Sequence, residues 1–214
     1  MNSSKYFGVY QKGKSLYTKS LVKGQVVYGE TIDGEFREWV AKRSKLGAAL
    51  MNGLKLFPFK EDTITLYLGA SSGTTCSHLS DICTKGMIFG VELAPRIFYK
   101  FVELAKTRPN LYPILESAND VEKYAYVPPA DVVFQDISQK DQVRLFIKNC
   151  EVFLKKEGYG ILAVKSRSID VTKPPIKIFN QVRQELSQKY EIVDEKRLEP
   201  FEKDHVLFLI KKKK

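Results

Sequence analysis

Cysteine is scarce in this sequence and badly spaced for ligation: Cys76, Cys83 and Cys150 are odd in number and lack a C-x-x-C pair. That excludes a disulfide framework and a cysteine-rich zinc site, and the three read as core residues of a protein in a reducing compartment. Histidine is scarcer, with only His78 and His205, and no H-x-x-x-H, H-E-x-x-H or acidic cluster points to a metal. No apolar run approaches the roughly 18 residues of a bilayer-spanning helix, so no membrane is expected. The opening MNSSKYFGVYQKGK has no apolar h-region, so the expected location is cytoplasmic. Internal repeats are absent, and the only biased tract is Lys211–Lys214.

What is present is a length of 214 residues, enough for one domain with a small appendage. The net charge of +10 is unevenly spread: residues 1–60 hold 11 Lys and Arg against 4 Asp and Glu. A basic front favours a polyanionic partner, because Lys and Arg gain by displacing counterions from phosphates.

The first 40 residues alternate short apolar segments with turn signals: Tyr6–Tyr10, Ser15–Thr18, Val26–Tyr28 and Phe36–Val40, punctuated by Gly13, Gly24 and Asp33-Gly34. This pattern predicts a small antiparallel β domain built from hairpins. Leu46, Ala49 and Leu50 then recur at helical spacing up to Asn52-Gly53, which places a linking helix and a joint near residue 55. The expected domains are therefore 1–55 and 56–214.

From Thr63 the rhythm becomes strand, turn, helix. Strands are expected at Ile64–Leu68, Met87–Val91, Leu111–Leu115, Val132–Phe134 and Gly160–Val164, with amphipathic helices between them and a further helix after Pro174-Pro175. Two consecutive strands, Tyr190–Val193 and His205–Ile210, close the chain. The expected fold is α/β: a Rossmann-like parallel sheet with helices on both faces and an antiparallel C-terminal strand pair.

In such sheets ligands bind beyond the carboxyl ends of the strands. The first strand runs into Gly69-Ala70-Ser71-Ser72-Gly73-Thr74-Thr75, where two glycines let backbone approach a ligand; the spacing is not that of a dinucleotide fingerprint. The second ends at Glu92, about 20 residues on, where a carboxylate suits the two hydroxyls of a ribose. Together they suggest an adenosine-bearing cofactor, either S-adenosylmethionine or a dinucleotide. The fourth strand ends at Asp136 and the fifth at Lys165. Partial burial would lower the lysine's pKa, while a nearby Asp136 would raise it. His78 reads as a helix-packing or surface residue, and His205, opening the last strand, as a titratable group near a cleft. Lys45 heads the linking helix.

The ordered set of these segments resembles the fibrillarin family from about Leu16 to the end. It comprises Thr18-Lys19-Ser20-Leu21-Val22, Val27-Tyr28-Gly29-Glu30, Arg43-Ser44-Lys45-Leu46, the Leu68–Thr75 turn, Val91-Glu92, Asp131–Gln142, Lys165 and Leu198-Glu199-Pro200-Phe201-Glu202-Lys203-Asp204-His205. The N-terminus lacks a Gly/Arg-rich arm, so the resemblance is to the archaeal type. It implies a Lys-Asp-Lys-His catalytic set at Lys45, Asp136, Lys165 and His205. It implies an S-adenosylmethionine site at Gly69, Gly73, Thr74, Thr75, Glu92, Leu93, Ser117, Ala118 and the Asp136, Ile137, Ser138, Gln139 segment. Family members usually carry Asp-Ala after the third strand, where the aspartate serves the adenine amino group; here the pair is Ser117-Ala118, with Asn119 and Asp120 as possible substitutes.

The implied activity is transfer of a methyl group from S-adenosylmethionine to ribose 2′-hydroxyls of ribosomal and transfer RNA. The implied partners are a box C/D guide RNA, the substrate RNA, a coiled-coil scaffold protein and a kink-turn-binding protein. Lys165 is expected to accept the proton, held by Asp136, with Lys45 and His205 positioning the substrate. The competing readings are a methyltransferase of small molecules or protein side chains, a dehydrogenase of wrong glycine spacing, and a noncatalytic subunit of an RNA particle.

Overall fold

In the computed structural model, which describes residues 1–213, the N-terminal segment forms a five-stranded antiparallel sheet. Its strands are β1 (Asn2–Ser3), β2 (Val9–Lys12), β3 (Ser15–Lys19), β4 (Ile32–Asp33) and β5 (Phe36–Trp39), in the order β1-β2-β3-β5-β4. Lys214, last of the terminal lysines, lies outside the described residues. The hairpin expected over Val26–Tyr28 does not form. The amides of Val27 and Tyr28 instead donate to the Glu30 carboxylate at 2.8–3.1 Å, so this backbone finds its partner in a side chain and not in a strand. Strand pairing in this stretch falls to the two residues of β4. Tyr6–Gly8 likewise turns ahead of β2, with Gly8 at φ 70°.

A turn of 3-10 helix (Ala41–Arg43) leads into α1 (Lys45–Met51), capped by the Ser44 hydroxyl, which accepts from the Gly47 amide at 3.2 Å. The rest of the chain runs β6 (Ile64–Leu68), α2 (Thr74–Ile82), β7 (Met87–Glu92), α3 (Pro95–Ala105), β8 (Leu111–Leu115), β9 (Ala130–Gln135), α4 (Gln142–Phe153), β10 (Leu154–Lys165), α5 (Ser166–Ile169), α6 (Pro175–Lys189), β11 (Tyr190–Arg197) and β12 (His205–Lys212). Seven of these strands make one sheet in the order β11-β12-β10-β9-β6-β7-β8, parallel from β10 to β8 and closed by the antiparallel β12 and β11. The α/β class and the C-terminal antiparallel pair are as the sequence rhythm predicts; the four-residue α5 is not anticipated by it.

Alternation along the strands builds two cores. Leu66, Leu68, Val133, Leu162 and Val164 face α4 and α6, meeting Phe146, Phe153, Phe179 and Leu186. Tyr67, Phe134, Ile161 and Ala163 face the other way, toward α2 and α3, in a cluster that also takes in Tyr6, Val9, Leu16 and Trp39 of the N-terminal sheet. The small sheet therefore shares one apolar core with the large one.

That junction also carries a buried charge network. Arg37, on the inward face of β5, bonds Glu30 at 2.6 Å and Asp81 of α2 at 2.9 Å, and Arg108 bonds the other Asp81 oxygen at 2.7 Å; all four side chains are fully buried. Part of the basic surplus of residues 1–60 is thus internal. His78 sits against the network, stacked on Trp39 with ring centroids 4.8 Å apart. It is a buried packing residue, one of the two roles its sequence position suggests.

The tautomer of His78 follows from its neighbours. Thr18 gives its hydroxyl proton to Asp81 at 2.7 Å, so His78 Nδ1–H donates to Thr18 at 2.8 Å, while Nε2 lies 2.7 Å from the Tyr28 hydroxyl, whose proton also has the Glu38 carbonyl within reach at 3.0 Å. Burial, and then the charges of Arg37 and Arg108, push the His78 pKa well below its ordinary value. The unfolded chain therefore binds a proton that the folded one refuses once pH falls below about 6.5, and stability present above that pH is lost on acidification. Urea unfolding between pH 7.5 and 5.5 is expected to lose about 1 kcal/mol on this account, with the loss smaller in His78→Gln; a flat wild-type profile would refute the assignment.

Candidate active site

The strand order reverses between β6 and β9, and there two loops touch. Asp136, just past β9, donates its amide to the Leu68 carbonyl at 2.9 Å. Gly69 has φ 82°, and a Cβ there would stand 2.5 Å from the Asp136 carbonyl oxygen, so only glycine fits this crossing. Gly73, φ 86°, caps α2, and any side chain there would strike Phe101 at 2.6 Å. The Glu92 carboxylate, at the end of β7, accepts from the amides of Ser71 at 2.8 Å and Ala94 at 2.9 Å, which pins the glycine turn to the second strand end.

Two cavities open from this point and share Gly69, Ser71, Asp136 and Ser138 in their walls. The first, about 330 Å³, is lined by Glu92, Leu93, Ser117, Ala118, Ile137 and Gln139, with Val91, Glu116 and Leu145. Its walls combine a fixed carboxylate with apolar flanks. The Ser117 hydroxyl accepts from the Asn119 amide at 3.1 Å. Neither proposed substitute turns inward: the Asn119 side chain bonds Asp120 and Arg144, Asp120 pairs with Lys123, and neither residue lines the cavity.

The second cavity, about 530 Å³, is lined by Lys45, Thr74, Thr75 and Asp136 together with Lys42, Arg43, Tyr67, Lys100 and Glu202. Lys45 Nζ lies 3.0 Å from each carboxylate oxygen of Asp136, with both side chains about one-fifth exposed. This corrects the expected Asp136–Lys165 pairing: α1 delivers Lys45 onto the carboxylate, so the pair forms between the helix and β9. Lys165 ends β10 with an exposed side chain that makes no ion pair or hydrogen bond among the described residues, where partial burial had been expected. It is backbone partner to His205 in the β10–β12 register, so the two stand side by side on the rim one strand over. His205 is buried, and its Nδ1–H donates to the Lys203 carbonyl at 2.6 Å, leaving Nε2 without a partner among the described residues.

Tyr67 and Gln142 escape a reading of strand ends, and Thr75, expected from the sequence at the cofactor, also has a structural contact. Tyr67 points into the second cavity from mid-strand; burial first, and then the charge of Asp136, hold its phenol well above its ordinary pKa, so it stays a neutral donor. Thr75 bonds Ser44 at 3.0 Å, tying the cap of α1 to the first turn of α2 and fixing where Lys45 enters. Gln142 steadies the loop after β9, donating to the Gln139 carbonyl at 2.7 Å and accepting from the Lys165 amide at 3.3 Å. The only sequence signal for Tyr67 and Gln142 is polarity on an otherwise apolar face. The three cysteines are buried and unpaired, their thiols pushed up by burial, Cys83 to about 12.

Comparison with known proteins agrees with this geometry. The family model described as Fibrillarin matches residues 2–214. A fibrillarin-like rRNA/tRNA 2′-O-methyltransferase of Pyrococcus abyssi is 49% identical over 97% of this chain and 96% of its own. The fibrillarin of a solved fibrillarin/Nop5p complex superposes with a TM-score of 0.93 at 38% identity, covering 98% of this chain and 100% of that one. Aeropyrum pernix fibrillarin, solved with natively bound S-adenosyl-L-methionine, superposes at 0.88 with 40% identity, covering 98% and 96%. Matched along almost its whole length in sequence and in fold, the chain belongs to the fibrillarin family.

Proposed function

We propose that this protein transfers a methyl group from S-adenosylmethionine to ribose 2′-hydroxyls of ribosomal and transfer RNA, at nucleotides chosen by a box C/D guide RNA within a ribonucleoprotein particle. The observation that carries this reading is the Lys45–Asp136 pair at the switch point, with Lys165 and His205 on the same rim and the Glu92 cavity adjoining. The relatives are named for rRNA and tRNA 2′-O-methylation, and one solved relative is held in complex with Nop5p. We assign the scaffold, guide and kink-turn-binding partners to this chain by that kinship.

The residues suit the cofactor. Glu92 has both oxygens fastened by backbone amides, so its remaining lone pairs point as a fixed acceptor for a ribose diol. Leu93, Ala118, Ile137 and Leu145 offer apolar walls to a base, and Gly69 keeps the crossing of the two loops free of side chains. When bound, the cofactor supplies a methyl on a sulfonium whose thioether leaving group is neutral. The chain's task is then alignment and removal of one proton. Lys165, exposed at the end of β10 beside His205, is the group we assign to take the 2′-hydroxyl proton and pass it on to solvent. Asp136 holds Lys45 in the cavity wall, and that ammonium together with His205 Nε2 positions the substrate ribose and phosphate.

Serine at 117 is shorter than aspartate and uncharged, and its hydroxyl already serves the Asn119 amide. Ser117→Asp is expected to tighten cofactor binding by about 1 kcal/mol, the scale of one net hydrogen bond. Titration calorimetry with S-adenosylmethionine checks it, and unchanged or weaker affinity in a folded variant counts against an under-served adenine amino group.

The decisive experiment is transfer from methyl-labelled cofactor in a particle assembled with guide RNA, scaffold and kink-turn-binding protein. Label is expected at the guided ribose only. Label in protein, or none in RNA, overturns the activity; efficient site-specific methylation by the chain alone overturns the guide dependence.

A further inference from the structure

The 530 Å³ cavity carries more positive charge than its catalytic pair accounts for. Its lining holds four cations, Lys42, Arg43, Lys45 and Lys100, against two carboxylates, Asp136 and Glu202. Lys45 and Asp136 neutralise each other at 3.0 Å. Lys42, Arg43 and Lys100 are exposed, and none of their side chains makes an ion pair or hydrogen bond among the described residues. What sets these three apart is that they surround one concavity. Three unpaired cations around one concavity repel one another and focus a positive potential into it.

Their placement gives that potential a shape. Lys42 and Arg43 lie on the 3-10 turn between the small sheet and α1. Lys100 stands on α3 across the cavity, and one turn of helix earlier Arg96 is also exposed and unpaired. Beside Lys100, Tyr99 is 67% exposed, an aromatic face between cations of the kind that receives an unstacked base. The Lys45–Asp136 pair lies in the wall of the same cavity.

We propose that Lys42 and Arg43 on one wall and Lys100 on the other form a phosphate clamp for the substrate strand, holding the phosphates that flank the target ribose. This rests on the RNA methyltransferase reading above. The clamp carries no sequence information, because phosphate contacts fix register and orientation alone. It divides the work of the site: the clamp holds the backbone, and the Lys45–Asp136 pair in the cavity wall, with Lys165 and His205 on the neighbouring strand ends, acts on the ribose.

The test uses the assembled particle with the Lys42→Ala/Arg43→Ala/Lys100→Ala variant, the single variant Lys100→Glu, and Lys100→Arg. The apparent KM for substrate RNA is measured from about 50 to 200 mM salt, and cofactor affinity by calorimetry. Removing three phosphate contacts is expected to lower the slope of log affinity against log salt by roughly 2, and a single charge reversal to weaken RNA binding at low salt. Lys100→Arg is expected to behave as wild type, and cofactor affinity to stay unchanged in all three. Wild-type RNA binding and salt slope in the triple variant, while the unmodified particle methylates normally, overturns the clamp alone. Loss of cofactor affinity reassigns the cations to the cofactor's carboxylate and overturns it too. An unmodified particle that transfers nothing to RNA overturns the function and the clamp together.

Discussion

Lys165→Ala is expected to lower single-turnover methyl transfer in the assembled particle by about 100- to 10,000-fold, the usual contribution of a positioned general base. The side chain is exposed at the end of β10 and has no partner among the described residues. Its removal therefore strips no hydrogen bond from the fold, and the variant should melt like the parent. Asp136→Ala is expected to cost as much by a different route. It leaves the Lys45 ammonium without the carboxylate that holds both of its 3.0 Å contacts, so the substrate is misplaced while the proton acceptor remains. A folded Lys165→Ala particle with near-normal single-turnover rates would remove Lys165 from the mechanism.

That contrast depends on a contact the sequence did not reveal. Asp136 and Lys165 close adjacent strands, so a reading of strand ends pairs them; the structure gives the carboxylate to Lys45, 91 positions earlier, because the Ser44–Thr75 bond seats α1 over the glycine turn. Features that depend on local periodicity were legible. Strand β6 and strand β8 fall on the expected residues, because apolar runs bounded by turn signals leave little choice of ends. Glu92 and Asp136 lie together, as a reading of strand ends expects, because strand ends at a reversal of order share one rim. Features that depend on buried polarity were not legible. Val26–Tyr28 has the composition of a strand, yet the Glu30 carboxylate takes its amides. Arg37 and Arg108 count as surface charge in any composition, yet both are fully buried. A charged residue announces its burial only through partners distant in sequence, and those exist only once the chain has folded.

The largest effect on stability is expected at that buried network. Arg37 donates to Glu30 through two nitrogens at 2.6 and 2.8 Å, to Asp81 at 2.9 Å and to the Ser77 hydroxyl at 2.9 Å. Burial raises the Glu30 pKa, but hydrogen bonds from the backbone and from Arg37 outweigh it and hold the carboxyl below its usual range. Two arginines and two carboxylates cancel, and removing Arg37 leaves two buried negative charges against Arg108 alone. Arg108 bonds Asp81 and not Glu30, so Glu30 would lose its guanidinium altogether. Breaking a buried pair by deleting one member costs about 3–5 kcal/mol, set against a total stability of roughly 5–15 kcal/mol for a domain. Arg37→Ala is therefore expected to lower the urea midpoint by a large fraction, or to yield no folded protein. Arg37→Met with Glu30→Gln removes one charge of each sign and keeps most of the volume, so the double variant should be more stable than the sum of the single losses predicts. Because β3, the β4–β5 hairpin and α2 all converge on Asp81 and Glu30, the loss should separate the small sheet from the large one first, with hydrogen exchange rising earliest at Thr18, Leu21 and Tyr28. A double variant no more stable than Arg37→Ala would mean that the lost contacts, and not the uncompensated charge, set the cost.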